Sequence, residues 1–343
     1  MNLLDDTFGR AHSYLRISLT DRCNLRCIYC MPAEEEGCAQ DMHDEALPVS
    51  ECERTEQMLS FEEILRLAKI FVSLGVSKIR LTGGEPLVRR NIVSLVARLA
   101  ELPGLQTLGM TTNGVLLSRY ARVLKRAGLS NLNISLDTLR ADRFLRIAKR
   151  PHFDRVLEGI DAALHAGFSP LKLNVVVMGG INDDEIPDFA ELAHSRPIHV
   201  RFIEYMPFRF NSWSTASFVS WQDIIERLAG FVDWSRAKPG HAEGSVAKEY
   251  EIDGWLGRIG FITSMSDHFC ASCNRLRLTA DGSVKSCLFH PAELNLRSAL
   301  RASVTDEELE VLIRSAVLEK PRGHAPVDEL VAMENRSMIE IGG

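Results

Sequence analysis

The sequence lacks any run of about 20 apolar residues, the length that a membrane-spanning helix needs. Its mostly apolar windows, such as residues 64–76, are interrupted by charged side chains. Residues 1–6 show neither the basic segment nor the apolar segment of a secretory signal. These absences predict a cytoplasmic protein that makes no contact with membranes.

Positive charge is not in excess, because 40 Lys and Arg stand against 46 Asp and Glu and the net charge is -6. A general nucleic-acid binder carries a basic excess, so that class is excluded. No Walker A loop (G-x4-G-K-[ST]) is present, so a nucleoside triphosphate would need another kind of site. The composition, 45% hydrophobic and 25% charged over 343 residues, is typical of a globular protein of roughly two domains.

Eight cysteines are present, and six of them form two triplets: Cys23, Cys27 and Cys30, then Cys270, Cys273 and Cys287. Disulfides are disfavoured, because cytosolic thiols stay reduced and a chain of this length needs no covalent staples. Clustered thiols therefore indicate a metal or redox centre. The other two, Cys38 and Cys52, lie in an acidic stretch at 33–58 without periodicity, which we interpret as an exposed insertion with adventitious thiols.

Short β-rich segments alternate with amphipathic helical segments from residue 14 to residue 205. This alternation predicts right-handed crossovers and a parallel sheet. Six strand–helix units fit into the range, whereas a complete barrel of eight needs about 250 residues. The predicted fold class is α/β: a partial (β/α)6 TIM-like barrel over 1–206 and a smaller C-terminal region over 207–343. Its active site should lie at the carboxyl ends of the strands.

The predicted elements follow from these patterns. Strands are expected at 14–20, 78–82, 107–111, 131–135, 171–177 and 199–203, with helices after Ser60 and at 91–102, 117–128, 153–166 and 183–194. The C-terminal region should contain a helix near 220–230, strands at 249–252, 258–262 and 275–279, and a hairpin at Asp281-Gly282.

The first triplet, Cys23-Asn-Leu-Arg-Cys27-Ile-Tyr-Cys30, begins just after the first predicted strand. Three thiolates can hold three irons of a [4Fe–4S] cluster and leave the fourth iron open, whereas a closed structural zinc site takes four ligands. Together with Gly83-Gly84-Glu85-Pro86, this pattern resembles the radical S-adenosylmethionine superfamily. The resemblance implies that the open iron binds S-adenosylmethionine, and that reduction releases a 5′-deoxyadenosyl radical.

The second triplet leaves two alternatives open. With His268 or His290 as a fourth ligand, Cys270, Cys273 and Cys287 could form a zinc ribbon. The strand between these cysteines, however, carries Arg275 and Arg277 on one face, which is a good arrangement for clamping an anion.

The segment from Ser266 to Gly282 resembles the second-cluster motif of the GTP 3′,8-cyclase family, which acts in molybdenum-cofactor biosynthesis. That family ends in Gly-Gly, as this chain does at Gly342-Gly343, and the similarity runs from about Tyr14 to the end. It implies a lyase with two [4Fe–4S] clusters that cyclises GTP between C3′ and C8. It also implies an electron donor of flavodoxin or ferredoxin type, a downstream cyclic pyranopterin monophosphate synthase, and a monomer or homodimer.

The resemblance also assigns roles to residues. The first cluster would be held by Cys23, Cys27 and Cys30, and the auxiliary cluster, at the guanine end of GTP, by Cys270, Cys273 and Cys287. A second set would contact S-adenosylmethionine: Tyr29, Gly84, Glu85, Ser135 and Met206. A third set would bind GTP: Arg16, Arg80, Thr111, Lys172, Arg275, Leu276 and Arg277. Arg275, Arg277, Gly342 and Gly343 would take part in catalysis.

Two other functions remain open at this point. A peptide-modifying radical maturase with an auxiliary cluster would share the first triplet, but its substrate carries no triphosphate. A zinc-ribbon binding protein would use only the second triplet and cleave no cofactor.

Overall fold

The computed structural model of the chain describes residues 4–30, 57–209, 211–240, 246–302 and 304–342. Nearly all of the predicted insertion at 33–58, with Cys38 and Cys52, lies outside these residues. Within them, a mixed sheet of 12 strands forms the centre of the molecule, and helices pack against it around one large apolar core. No helix in the described ranges combines the length and the apolar character needed to cross a bilayer.

The six strands predicted before residue 206 are present, lie parallel and follow one another in chain order. The first strand ends two residues before its predicted end, because the chain turns into the loop that carries the first cysteine triplet. The strands are β1 (Tyr14–Ser18), β2 (Lys78–Thr82), β3 (Thr107–Thr112), β4 (Asn131–Ser135), β5 (Leu171–Val177) and β6 (Ile198–Glu204).

The helices between these strands begin and end close to their predicted positions. At the first one, the Ser60 hydroxyl accepts from the Glu63 N–H at 3.1 Å, and the Glu63 carboxylate accepts from the Ser60 N–H at 2.7 Å. This reciprocal pair is a capping box and fixes the helix start. The helices are α1 (Phe61–Ser73), α2 (Ile92–Ala100), α3 (Leu117–Arg126), α4 (Ala141–Ala148), α5 (Phe153–His165) and α6 (Ile186–Ser195).

Helix α4 has no counterpart among the predicted elements. It contains only eight residues, and its buried side chains are limited to Phe144, Ile147 and Ala148. An apolar face of only three residues produces little helical periodicity in the sequence, which is why the helix was not predicted. The helix nevertheless supports the loop of the first triplet, because the Arg26 and Ile28 N–H groups donate to carbonyl oxygens of its last turn at 2.9 and 3.0 Å.

The C-terminal region adds strands to both edges of this sheet. One of them, β9, pairs parallel with β6, and another, β10, pairs parallel with β1. Its strands are β7 (Ala237–Gly240), β8 (Lys248–Ile252), β9 (Arg258–Ile262), β10 (Arg275–Leu278), β11 (Ser283–Lys285) and β12 (Leu294–Asn295). Its helices are α7 (Trp221–Leu228), α8 (Arg297–Arg301), α9 (Asp306–Leu318), α10 (Val327–Ala332) and α11 (Met338–Ile341).

Glu204, the last residue of β6, joins the barrel to this C-terminal region. Its side chain is buried, and its carboxylate accepts from the backbone N–H groups of Trp221, Met265 and Ser266 at 3.0, 2.8 and 3.0 Å. A buried carboxylate with this many donors is a strong polar connection. It holds the start of α7 and the loop after β9 against the end of β6.

We expect Glu204→Ala to lower the free energy of unfolding of the metal-free protein by about 2–4 kcal/mol, because one buried and two partly buried N–H groups lose their acceptor. Urea unfolding followed by circular dichroism measures the difference. Glu191→Ala, on the surface of α6 with a side chain 55% exposed, is the control and should change stability by less than about 0.5 kcal/mol. Equal effects of the two substitutions would contradict the role of Glu204.

Candidate active site

A large cavity occupies the interior of the barrel, and alternate strand residues form its wall. Side chains two positions apart share one face of a strand, so Tyr14 and Arg16 of β1 both line the cavity, as do Lys78 and Arg80 of β2. Four more strands contribute in the same way, with Asn133 and Ser135, Lys172 and Asn174, Arg201 and Ile203, and Arg275 and Arg277.

Both cysteine triplets line this cavity. The first lies in the loop after β1, while Cys270 and Cys273 precede β10 and Cys287 follows β11. All six thiols are free. The parallel pairing of β1 with β10 therefore brings two groups of thiols, about 250 residues apart in the sequence, to a single cavity.

The first triplet is partly buried, in surroundings that disfavour free thiolates. Desolvation raises the pKa of Cys23 to about 12 and raises the pKa values of Cys27 and Cys30 as well. The Cys23 sulfur accepts from two neutral donors, the Leu25 N–H at 3.4 Å and the Asn113 amide at 3.6 Å. Thiolates at these positions need a bound cation, and iron or another thiophilic metal meets that need.

The spacing of the thiols distinguishes between kinds of metal centre. Around a single zinc ion, bonds of about 2.3 Å hold sulfurs roughly 3.8 Å apart. Among the described residues, the one group of three donor atoms within 4.8 Å of one another is His268, Cys270 and His324, and neither cysteine triplet is that compact. In a [4Fe–4S] cluster each thiolate binds a different iron, so a cluster accepts sulfurs that are farther apart than a single zinc ion allows.

Four of the residues predicted to contact S-adenosylmethionine line the cavity that holds both triplets: Tyr29, Gly84, Ser135 and Met206. Gly84 packs so closely on the triplet loop that a Cβ atom would lie 2.2 Å from the Arg22 carbonyl oxygen, so only glycine fits.

The Tyr29 hydroxyl donates to Asp137 at 2.7 Å, which fixes the ring against the cavity. Asp137 also accepts from the Val176 N–H at 2.9 Å, and burial raises the pKa of this carboxyl to about 6.

Glu85 lies next to the cavity but does not line it. Its side chain is fully buried, and the carboxylate accepts from the Thr112 hydroxyl and the Asn113 and Leu87 N–H groups at 2.7, 2.7 and 3.0 Å. These bonds hold the Asn113 loop beside the first triplet. A contact between Glu85 and the ammonium group of S-adenosylmethionine stays a prediction.

Cationic side chains form the opposite part of the cavity wall. In the sheet register Arg16 lies between Arg80 and Arg277, and Tyr14 lies between Lys78 and Arg275. Lys78 and Arg201 were not among the predicted site residues. Lys78 could have been predicted, because it lies two residues before Arg80 on the same strand and therefore on the same face. Arg201 could not, because the sequence does not show which face of β6 points into the cavity.

Buried polar atoms in this region have no protein partner. Within the described part of the chain these atoms include the Nε atoms of Arg275 and Arg277, Thr111 Oγ1, Asn133 Oδ1 and Asn174 Oδ1. Buried polar groups are normally paired, so this part of the cavity is suited to a polar ligand.

Leu276 behaves differently from the arginines on either side of it. Because side chains alternate along β10, Leu276 points away from the cavity and is fully buried in the apolar core. The Leu276 side chain therefore does not line the cavity, and a contact between this residue and GTP stays a prediction.

The C-terminal tail reaches the carboxyl ends of β1 and β2. Arg336 pairs with Asp281 at 2.9 Å and with Glu293 at 2.6 Å, which anchors the segment before α11. Gly342 then lies in a left-handed conformation with φ of 86°, where a Cβ atom would be 2.6 Å from that of Ser18 and 3.0 Å from Thr82 Oγ1. Gly343 lies outside the described residues.

We predict that Tyr14 ionises near neutral pH in the ligand-free protein. Burial opposes its ionisation, but the cations of Arg80, Arg16, Arg275 and Lys78 outweigh burial and lower the pKa of Tyr14 to about 6. Arg80 Nε also donates to the phenol oxygen at 2.7 Å. Ultraviolet difference spectroscopy should therefore detect one tyrosinate that forms as the pH rises through about 6.

Tyr14→Phe is the control for this titration and should abolish the signal, because burial raises the pKa values of Tyr29 and of Tyr205, the latter to about 12. Inorganic triphosphate should raise the midpoint by neutralising the cations. A tyrosine signal that persists in the Tyr14→Phe protein would contradict the assignment.

Comparison with known proteins agrees with this geometry. Residues 17–193 match the radical SAM superfamily, and residues 198–326 match the family described as Molybdenum Cofactor Synthesis C. The GTP 3′,8-cyclase of Moorella thermoacetica is 45% identical over 99% of this chain and 100% of its own length. Molybdenum cofactor biosynthesis protein 1 of Bos taurus is 49% identical over 98% of this chain, which spans only 51% of that relative.

Solved structures support the fold. Streptococcus suis SuiB bound to S-adenosylmethionine superposes with a TM-score of 0.60 at 15% identity, over 94% of this chain and 75% of the other. At that identity the likeness concerns the fold alone. The family models and the close relatives carry the assignment: the chain belongs to the radical SAM superfamily and, within it, to the GTP 3′,8-cyclase family.

Proposed function

We propose that this protein cyclises GTP to 3′,8-cyclo-7,8-dihydroguanosine 5′-triphosphate, the first step of molybdenum-cofactor biosynthesis. The observation that carries the proposal is the set of cations that faces one cavity between the two thiol triplets: Arg16, Lys78, Arg80, Lys172, Arg201, Arg275 and Arg277. A triphosphate carries about four negative charges, which such a wall can neutralise in the absence of a phosphate-binding loop.

The charge balance of the wall supports an anionic substrate. Arg201 is paired with Glu249, with 2.9 Å between Arg201 Nε and the carboxylate. The Nε atoms of Arg275 and Arg277 have no hydrogen-bond partner in the described ranges. Planar guanidinium groups bind phosphate oxygens with two parallel hydrogen bonds, so a phosphate chain would satisfy donors that the protein leaves open.

The first triplet would hold a [4Fe–4S] cluster, with S-adenosylmethionine contacted by Tyr29, Gly84, Ser135 and Met206. When bound, this pair of cofactors supplies the radical that abstracts the hydrogen atom from ribose C3′. The second triplet would hold the auxiliary cluster at the guanine end of GTP.

The chain itself contributes position and enclosure. The cations would fix the triphosphate, so that the ribose lies toward the first triplet and the guanine toward the second. The new C3′–C8 bond closes the ring, and one electron and one proton complete the product. Holding the two carbons close together lowers the entropic barrier to closure, and the buried wall keeps water from the reacting atoms.

Several features of the wider proposal rest on the resemblance. These are the flavodoxin- or ferredoxin-type electron donor, the downstream cyclic pyranopterin monophosphate synthase, and the monomeric or homodimeric state. The cytoplasmic location and the division of the chain at residue 206 rest on the sequence pattern alone.

The direct test is anaerobic reconstitution with iron and sulfide, followed by dithionite, S-adenosylmethionine and GTP. We expect about eight irons per chain for two clusters, together with 5′-deoxyadenosine and a cyclised nucleotide. Deoxyadenosine without a nucleotide product would favour the peptide-modifying maturase, and zinc without iron would favour the zinc-ribbon protein.

Arg277→Met should weaken GTP binding by about 10- to 100-fold, because one charge-assisted contact to phosphate is lost. Its iron content should equal that of the wild type. Arg98→Met, on an exposed arginine that pairs with Glu62, is the matched control and should leave GTP binding unchanged. If both variants bind GTP equally well, the cationic wall does not bind the triphosphate.

The tail offers a second test. Gly342→Ala should lower turnover at least tenfold while both clusters and GTP binding persist, because the added Cβ atom collides with Ser18 and displaces the tail. Deleting Gly342 and Gly343 should have the same effect. Gly254→Ala is the control, since Gly254 has the same φ of 86° but open space around it. Unchanged cyclisation by the Gly342→Ala or truncated protein would contradict a role for the tail.

A further inference from the structure

Lys320, just after α9, is a buried lysine whose ammonium group contacts the second triplet. The residue as a whole is only 3% exposed to solvent. The Nζ atom lies 2.9 Å from the Arg275 carbonyl oxygen, 2.9 Å from His12 Nε2, 3.2 Å from the Cys273 carbonyl oxygen and 3.4 Å from Cys273 Sγ. These contacts use the three N–H bonds of the ammonium group, and one of them is shared between the oxygen and the sulfur of Cys273.

No carboxylate compensates this buried charge within the described ranges. The carboxylate of Asp6 lies 3.8 Å from His12 Nε2 but pairs with Arg10, and burial makes an unpaired ammonium costly. The one contacting group that can carry a negative charge is the Cys273 thiol. Lys320 Nζ lies 3.4 Å from Cys273 Sγ, so the sulfur accepts a charge-assisted N–H···S contact.

His12 holds the lysine without neutralising it. Its Nδ1 lies 2.9 Å from the Leu4 carbonyl oxygen, which can only accept, so Nδ1 carries the proton and Nε2 accepts from Lys320. Burial and the Lys320 charge lower the pKa of His12 to about 4, and the ring is therefore neutral at neutral pH. The positive charge of Lys320 is thus directed at the sulfur of Cys273.

We propose that Lys320 is a positioning residue that raises the reduction potential of the cluster held by the second triplet. The inference rests on the proposed function, which places a [4Fe–4S] cluster on Cys270, Cys273 and Cys287. Reduction adds negative charge to a cluster, and a cation with an N–H···S contact to a ligand sulfur stabilises the reduced state. Lys320 contacts His12, Cys273 and Arg275, none of which belongs to the first triplet, so we expect the effect at the second cluster.

The test is a redox titration followed by electron paramagnetic resonance on the full chain carrying both clusters. Signals are assigned by comparison with a full chain in which Cys23, Cys27 and Cys30 are alanine. Lys320→Met should lower the ratio of reduced to oxidised second cluster at least tenfold at a fixed potential, a shift of about 59 mV for one electron. Lys320→Arg, which keeps the charge, should retain most of the wild-type potential.

Lys285→Met is the matched control. Lys285 is equally buried on β11, but its ammonium contacts Glu293 at 2.8 Å and the His290 carbonyl oxygen at 2.9 Å rather than a thiol. We expect less than a twofold change in the same ratio. Should the methionine variant at 320 not fold, Lys320→Gln, which removes the charge and keeps a donor, is measured against the same expectation.

Three outcomes would overturn the inference: a wild-type potential in the neutral variants, an equal shift in Lys285→Met, or an equal shift of the first cluster. Each is distinct from failure of the proposed function. A wild-type chain that binds no second cluster refutes the function, whereas two clusters, normal cyclisation and an unmoved potential refute only the role of Lys320.

Discussion

The parallel pairing of β1 with β10 is the contact on which the rest of the site depends. It joins the two ends of the chain, places the loops of both cysteine triplets at one cavity and aligns Arg16 with Arg277 across the sheet. Without it, the first six strands would form a partial barrel with one set of thiols and an open edge. The hydrogen bonds of Glu204 make a corresponding connection at the other edge, where β9 joins β6.

The cavity wall concentrates charge at the expense of stability. Burial lowers the pKa of Arg16 to about 9, of Arg277 to about 10 and of Lys172 to about 8, which shows that each cation is held where water stabilises it poorly. Like charges at such proximity repel one another. An anionic ligand offsets both the burial of the cations and their mutual repulsion. The arrangement that lowers the stability of the ligand-free protein therefore strengthens the binding of an anion. The net charge of -6 gives no sign of this local excess.

Local patterns predicted the strands and most helices because each has a clear apolar periodicity, and the cysteine spacing predicted the thiols that line the cavity. Local patterns could not predict which distant strands pair with each other. Nothing in residues 275–278 indicates that this strand lies beside β1 rather than in a separate unit. The burial of the Glu85 and Leu276 side chains outside the cavity was not predictable for a related reason. A motif names residues, but side-chain direction depends on strand register and on which neighbours supply hydrogen bonds.

The order in which these strands lie in the chain has a consequence for biosynthesis. On the ribosome, β1 emerges early, but its partner β10 follows about 260 residues later, and Gly342, which packs on Ser18, comes later still. Until then β1 presents an unpaired edge, and unpaired edges invite association with other chains. The second triplet can therefore join the first at the cavity only after this late part of the chain has been made.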